Sequence, residues 1–521
     1  MSFSIGSPST NMGPRSALSK FGVDKDGRLF DRQVVWRMLA FLQPYRRQMG
    51  LAIILMLLAS GLTLLTPYLI KVAIDQHIAQ GDIPGLTRIA FITGVAFLGL
   101  YLATAGQRYL LTWVGNRVLA ELRSRMFDHL QRLSLGYHDT HIIGVTVSRV
   151  INDVAVINDL LSQGLISLLG DLLILIGIIV VMLSMSPKLA LLTFTVLPLM
   201  VVATYFFSRR AKRAFRETRG TVAAVVGDLA EGIAGMRVIQ AFAQESLSQQ
   251  RFNRINDANR QAHINAMSLS FIFLPAIEFL GMVATGIVLW FGGLAVSDGT
   301  VTLGVMVAFL AYVSRFFQPI QELSQLYTTM QAAMAGGEQV LRLLDTAPEV
   351  ADRPQAYEMP PIKGKVSLEQ VSFAYRPDSP PVLQDINLTI EAGQTVALVG
   401  PTGAGKSSIA NLVARFYEVS RGAVRIDDID IRAVTQQSLR RQTGLVPQDP
   451  FLFSGTIADN ITFGIPQASS EAIEAAARSA NAHDFIVDLP DGYRTEILEG
   501  GVNLSLGQRQ LICIARAVLA N

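Results

Sequence analysis

A single cysteine, Cys513, occurs in 521 residues, so no internal disulfide can form and the thiol reads as a small buried helix residue. Charge is scarce as well: Asp, Glu, Lys and Arg make up 16% of the chain, against about a quarter in soluble domains. Half of the residues are hydrophobic, so much of the protein is built for lipid. Residues 1–30 hold no apolar core, which excludes a cleavable signal peptide there and leaves disorder as the expectation for a 1–33 tail. No long basic tract is present. The 44 Lys and Arg against 41 Asp and Glu give +3, and the cations sit beside apolar runs, which speaks for membrane topology and against a nucleic-acid partner. His138 and His141 have no further ligands at metal spacing, so that cluster reads as a solvated loop.

What is abundant is long apolar sequence. With a window of about 19 residues, membrane spans are expected at Leu51–Ile70, Ile89–Leu111, Leu160–Met185, Leu189–Phe207, Phe271–Gly292 and Val301–Phe317. Short connectors at Ser186-Pro187-Lys188 and Gly292–Gly299 make hairpins on one side. Arg117, Arg123, Arg125, Arg132 and Arg149, then Arg209, Arg210, Lys212, Arg213, Arg216 and Arg219, mark the other side as cytoplasmic. Before the first span, Val34–Tyr45 is an amphipathic stretch suited to the inner interface. Leu119, Leu122, Met126, Leu130 and Leu133 keep helical spacing beyond the second span, so the helices should continue well outside the bilayer. Asp171, Glu278 and Arg315 interrupt three spans at similar depth. Such charges are costly in lipid, so they are expected to face one another or a wet cavity, as a cargo patch or a structural ion pair. Gln318, Gln321 and Glu322 continue the polar face of the sixth span.

The rest of the chain has an ordinary soluble α/β composition. There Gly400, Pro401, Thr402, Gly403, Ala404, Gly405, Lys406 and Ser407 follow an alternating apolar run, Thr395–Val399, and precede a helical pattern that begins with Ser408 in its first turn. Glycines in that context let backbone N–H groups face phosphates, the helix start adds a positive dipole end, and Lys406 adds a full charge. The Ser407 hydroxyl is left to hold Mg²⁺. Upstream, Val366–Tyr375 alternates as a strand whose final aromatic either stacks on a base or simply packs.

Together with Gln448 in Val446-Pro447-Gln448-Asp449-Pro450 and with Leu504-Ser505-Leu506-Gly507-Gln508-Arg509-Gln510, these motifs resemble an ABC ATPase domain. The preceding spans, and the stretches Gly144–Asp153 and Glu231–Val238, make the chain similar to an ABC exporter half-transporter. The fold class implied is a membrane all-α six-helix domain followed by an α/β P-loop NTPase domain, incomplete at the C-terminus. Its parts are expected at 34–330 for the membrane domain, 331–363 for a linker and 364–521 for the ATP-binding domain.

By resemblance, Tyr375 stacks on adenine, Gly400 to Ser408 hold the phosphates of ATP, and Ser407 and Gln448 serve Mg²⁺, with Gln448 also sensing the attacking water. Ser505, Gly507 and Gln508 would act on nucleotide bound by a second half-transporter. Leu506 stands where the family usually has Gly, which favours a heterodimer over a homodimer, and Gly500 stands where Arg is usual. The implied function is ATP-driven export of amphipathic compounds or lipids across the plasma (cell inner) membrane, with both termini cytoplasmic. A non-hydrolysing regulatory subunit is the alternative. The resemblance also implies a general-base Glu and a switch His beyond Asn521, so the sequence reads as a truncated stretch of a longer protein. Taken alone it is expected to hydrolyse no ATP steadily, and its sheet is expected to lack middle strands beside Thr395–Val399.

Overall fold

The computed structural model describes residues 32–316, 318–376 and 379–520. Residues 1–31 of the expected 1–33 tail and Asn521 lie outside the described residues, as do the side chains of Gln318, Gln321 and Glu322, whereas Arg32 and Gln33 of that tail already begin a helix. Two compact units divide the chain: one holds residues up to Phe127 with Val147–Asp345, the other Asp128–Thr146 with Thr346–Asn521.

The first unit is helical. A short amphipathic helix α1 (Arg32–Ala40) buries Met38 and precedes α2 (Arg46–Val72) and α3 (Ile83–Arg132). There follow α4 (Leu165–Met185), α5 (Pro187–Phe194), α6 (Val196–Ala234), α7 (Glu245–Ser297), α8 (Leu303–Phe316) and α9 (Gln318–Asp345). Extended backbone at Ser186 with Pro187 at the first helical position breaks α4 from α5, because proline can start a helix but not continue one. Gly299, at φ +70°, turns the chain from α7 to α8.

Among the described residues five segments are long and apolar enough to cross a membrane, and α8 is a shorter apolar helix at the sixth expected span. At 1.5 Å per residue, the 50 residues of α3 and 53 of α7 reach about 75 and 80 Å, against a hydrocarbon core of about 30 Å. The helices therefore do run far beyond the bilayer. Inside the unit, Ile178, Met182, Leu189, Met200, Ile277, Val288, Phe309 and Tyr312 form a core. Outside it, Phe91, Leu102, Val180, Val201, Phe279 and Met282 are exposed. Helices apolar on both faces need lipid as their outer solvent.

Among the described residues Arg315 and Glu278 do not pair with each other. Arg315 donates from Nη1 to the carbonyl of Thr63 at 2.5 Å, and Glu278 is an exposed side chain on α7. The reason lies in α2: Pro67 has no N–H, so Thr63, four residues earlier, has a carbonyl without a helical donor. Beyond the apolar spans, Arg251 bridges Asp228 (2.7 Å) and Glu231 (3.1 Å), and Thr221 meets Asn259, which cross-links α6 to α7.

The second unit contains a four-stranded antiparallel sheet, β1 (Val366–Phe373), β2 (Leu383–Ile390), β3 (Arg421–Ile426) and β4 (Ile429–Asp430), in the order β2-β1-β3-β4. Helix α10 (Lys406–Val413) buries Leu412 in the core with Leu368, Val371, Phe373, Val424 and Ile426. A second core joins Leu452, Ile457, Ile461, Ala477, Ile486 and Ile497 to Ile512 and Cys513 of α11 (Leu506–Leu519). Cys513 is thus the buried helix residue expected of it.

One expected strand is absent as a strand. Thr395–Val399 carries no ladder, and Val396, Leu398 and Val399 are exposed, the last at 89%; Leu445 and Val446 are likewise bare. An extended segment becomes a strand only when a neighbour takes its N–H and C=O groups, and no described segment does so here.

Candidate nucleotide-binding site

The phosphate loop is shaped by its glycines. Gly403 (φ +88°) and Gly405 (φ +85°) occupy the left-handed region, and Gly405 is buried so closely that a Cβ would lie 2.6 Å from Leu383 Cδ2. Lys406 begins α10 and points its ammonium back across the loop, donating to the carbonyls of Gly400 (2.9 Å) and Pro401 (2.8 Å). The positive charge is thereby held against the loop, where an anion would meet it together with the helix start. Ser407 is exposed in the first turn, whereas Ser408 is buried and its Oγ lies 2.8 Å from the Tyr375 hydroxyl. The Ser408 side chain is therefore committed to Tyr375, and only its backbone faces the loop chemistry.

Tyr375 sits two residues past the end of β1, not within the strand. Its ring is 45% exposed and meets Phe373 (4.8 Å) and Tyr417 (5.1 Å, 90°) edge to face. A planar surface fixed on its edges by two aromatics and by its hydroxyl can accept a flat ring on its open face. Ser505 caps α11, accepting from the Gln508 N–H at 3.3 Å while the Gln508 side chain accepts from the Ser505 N–H at 2.9 Å. Leu506 is exposed at the first helical position. Gln448 is exposed in a bend. Tyr375 and the loop thus stand on the sheet core, and Ser505, Gly507 and Gln508 on the helical core.

Two contacts escape any reading of sequence motifs. The short helix Leu135–Thr140 belongs to this unit and buries Tyr137; its Asp139 accepts a hydrogen bond from the Tyr417 hydroxyl, and His129 meets the Thr346 carbonyl at 3.0 Å. Burial, then the Asp139 carboxylate, push the Tyr417 phenol well above its ordinary pKa, so it stays a donor. His138 and His141 serve the same segment, on the carbonyls of Leu130 (3.1 Å) and Tyr137 (2.9 Å). Second, Arg415 is 1% exposed and binds the carbonyls of Ile431, Val434 and Ala351 with Glu418 and Asp352, locking the chain after Asp345 onto the sheet core.

Residues 49–320 match the family model of the ABC transporter transmembrane region, and residues 383–521 match the ABC transporter model. The chain belongs to the ABC transporter family. It is 36% identical to an ATP-dependent lipid A-core flippase of Syntrophus aciditrophicus, over 93% of this chain and 80% of that one. It is equally 36% identical to a putative multidrug export ATP-binding/permease protein of Bacillus subtilis, over 94% and 85%. A bacterial Atm1-family ABC exporter solved with ATP bound is similar at a TM-score of 0.75 and 28% identity, covering 91% of this chain and 84% of that one.

This ABC protein is therefore a half-transporter of the exporter type. It is a membrane protein that couples ATP hydrolysis to export and works with a second half-transporter. Nucleotide with a divalent metal is its cofactor.

Asp139 lies on the short helix that follows α3 in the chain, and the Tyr417 hydroxyl ties the aromatic cluster to that helix. Tyr417→Phe keeps the ring and removes that bond. Cargo-stimulated ATPase is expected to fall at least about tenfold, in line with about 1.5–3 kcal/mol for a hydrogen bond to a charged group, with nucleotide affinity within twofold. Equal stimulation in wild type and variant would remove Tyr417 from the coupling.

Proposed function

We propose that ATP and Mg²⁺ bind with adenine on Tyr375, phosphates within Gly400 to Ser408 against Lys406, and the metal held by Ser407 and Gln448. The observation that carries this reading is the loop geometry: left-handed Gly403 and Gly405 lead into a helix whose first residue, Lys406, folds its ammonium across the loop. Ser505, Gly507 and Gln508, on the other core, serve nucleotide bound by the second half. Leu506 beside them favours a partner of different sequence. The cargo is a lipid or amphipathic compound, as the names of the flippase and multidrug relatives suggest. The membrane is the cell inner membrane with the nucleotide half and both termini cytoplasmic, a placement supported by the basic side chains that α3 and α6 carry beyond their apolar spans, Arg117 to Arg132 and Arg209 to Arg219.

Photolabelling with azido-ATP tests the site. Labelling of wild type is expected to require Mg²⁺ and to fall on chelation. Tyr375→Ala is expected to weaken it about tenfold or more, since an aromatic–base stack contributes about 1–3 kcal/mol. Metal-independent labelling, unchanged in Tyr375→Ala, would reject the assignment. Affinity purification from native membranes is expected to recover a second half-transporter of different sequence in equal amount; recovery of this chain alone, paired with itself, would establish a homodimer.

A further inference from the structure

We propose that Arg315 is an anion-recognition point in the membrane half, taking the carboxylate or phosphate headgroup of an amphiphilic cargo. The inference rests on the export reading and narrows its cargo class. Arg315 lies 12 residues after Leu303, so about 18 Å along α8 from its outer end, deep in the hydrocarbon zone.

Its surroundings fix its position without cancelling its charge. Pro67 leaves the Thr63 carbonyl without a helical donor, and Arg315 Nη1 fills the gap at 2.5 Å. One turn earlier on α8 the fully buried Tyr312 donates its hydroxyl to the Leu64 carbonyl at 2.6 Å. Two side chains of α8 thus grip two successive carbonyls of α2. A carbonyl holds a guanidinium in place but carries no net charge. A structural ion pair would have used a carboxylate, and among the described residues no ion pair involves Arg315, while its Nε and Nη2 donate to none of them. An oriented, half-buried guanidinium with a free edge matches the two oxygens of a carboxylate or phosphate. Retaining an uncompensated cation at this depth is costly, so a function for it is the expected reading. On α2, Leu58, Leu65 and Tyr68 are exposed apolar side chains able to flank an acyl chain.

The test uses the whole chain in phosphatidylcholine nanodiscs and two photo-crosslinkers of equal length, a diazirine fatty acid and the matching diazirine alkylamine. Labelled peptides are mapped by mass spectrometry. In wild type the acid is expected to label α2 and α8 at least fivefold more than the amine. Arg315→Lys is expected to keep that preference. Arg315→Gln, which can still donate to Thr63 but has no charge, is expected to lose it. A preference unchanged in Arg315→Gln, or no preference in wild type, overturns the proposal and leaves Arg315 as a clamp on the proline kink. Adding phosphatidylglycerol separates the sources: competition identifies a bilayer-lipid headgroup, and its absence a single-chain amphiphile, both on the same guanidinium. Azido-ATP labelling of the same samples reports the nucleotide half, so loss of the anion preference with normal ATP labelling sinks this inference alone.

Discussion

Replacing Lys406 with Ala is expected to lower ATP hydrolysis by at least about 100-fold while leaving the protein folded in its membrane. Within Gly400 to Ser408 the ammonium is the one full positive charge in the sequence, and it is already aimed across the loop by the carbonyls of Gly400 and Pro401. Fixed donors that meet developing charge in a site shielded from water are each worth about 2.7–4 kcal/mol, which corresponds to that loss in rate. Folding should tolerate the change because, among the described residues, the side chain's bonds are two exposed contacts to its own loop. The measurement is phosphate release by the assembled transporter in nanodiscs. Activity within threefold of wild type would remove the phosphate role from this loop.

Arg415→Met is expected to destabilise the nucleotide-binding half by about 3–5 kcal/mol. Removing one partner of a buried charged network leaves the others desolvated and unpaired. Here the losses include the Ile431 and Val434 carbonyls, at 3.0 and 2.8 Å, together with Glu418 and Asp352. Arg415→Lys should fail almost as badly, because an ammonium cannot reach so many acceptors as a planar fork. Cys513 supplies the probe: it is the single cysteine, it is buried, and burial raises its thiol above the ordinary pKa. Thermal exposure of Cys513 to a thiol-reactive dye should come at least about 6 °C earlier in the variant. By contrast, Arg37 and Asp345 form a bidentate pair at 2.6 Å but are about half exposed, so Arg37→Ala should cost less than about 1 kcal/mol. An unshifted Arg415→Met midpoint would show that water reaches those carbonyls.

The phosphate loop was legible because its chemistry is contiguous: glycine conformations, helix start and lysine all lie within a few residues. The membrane spans were legible because lipid demands long, predominantly apolar sequence, as Leu51–Ile70 and Leu160–Met185 supply. Thr395–Val399 shows the limit of that kind of reading. Its alternation is the pattern of a strand, yet a strand is a relation between neighbours, and the ladder is missing. Ser408 shows another: its hydroxyl lies 2.8 Å from that of Tyr375, a contact that its place in the motif does not reveal.

Sequence by itself determined the solvent of each half and the place where nucleotide chemistry can occur, since both are written in local period and spacing. Only tertiary structure decided that Tyr417 bonds to Asp139, 278 residues away, and that Arg315 answers Pro67 instead of Glu278. The physical reason is common to both. A buried polar group must find a partner, and which carbonyl or carboxylate lies within reach is set by how distant segments pack.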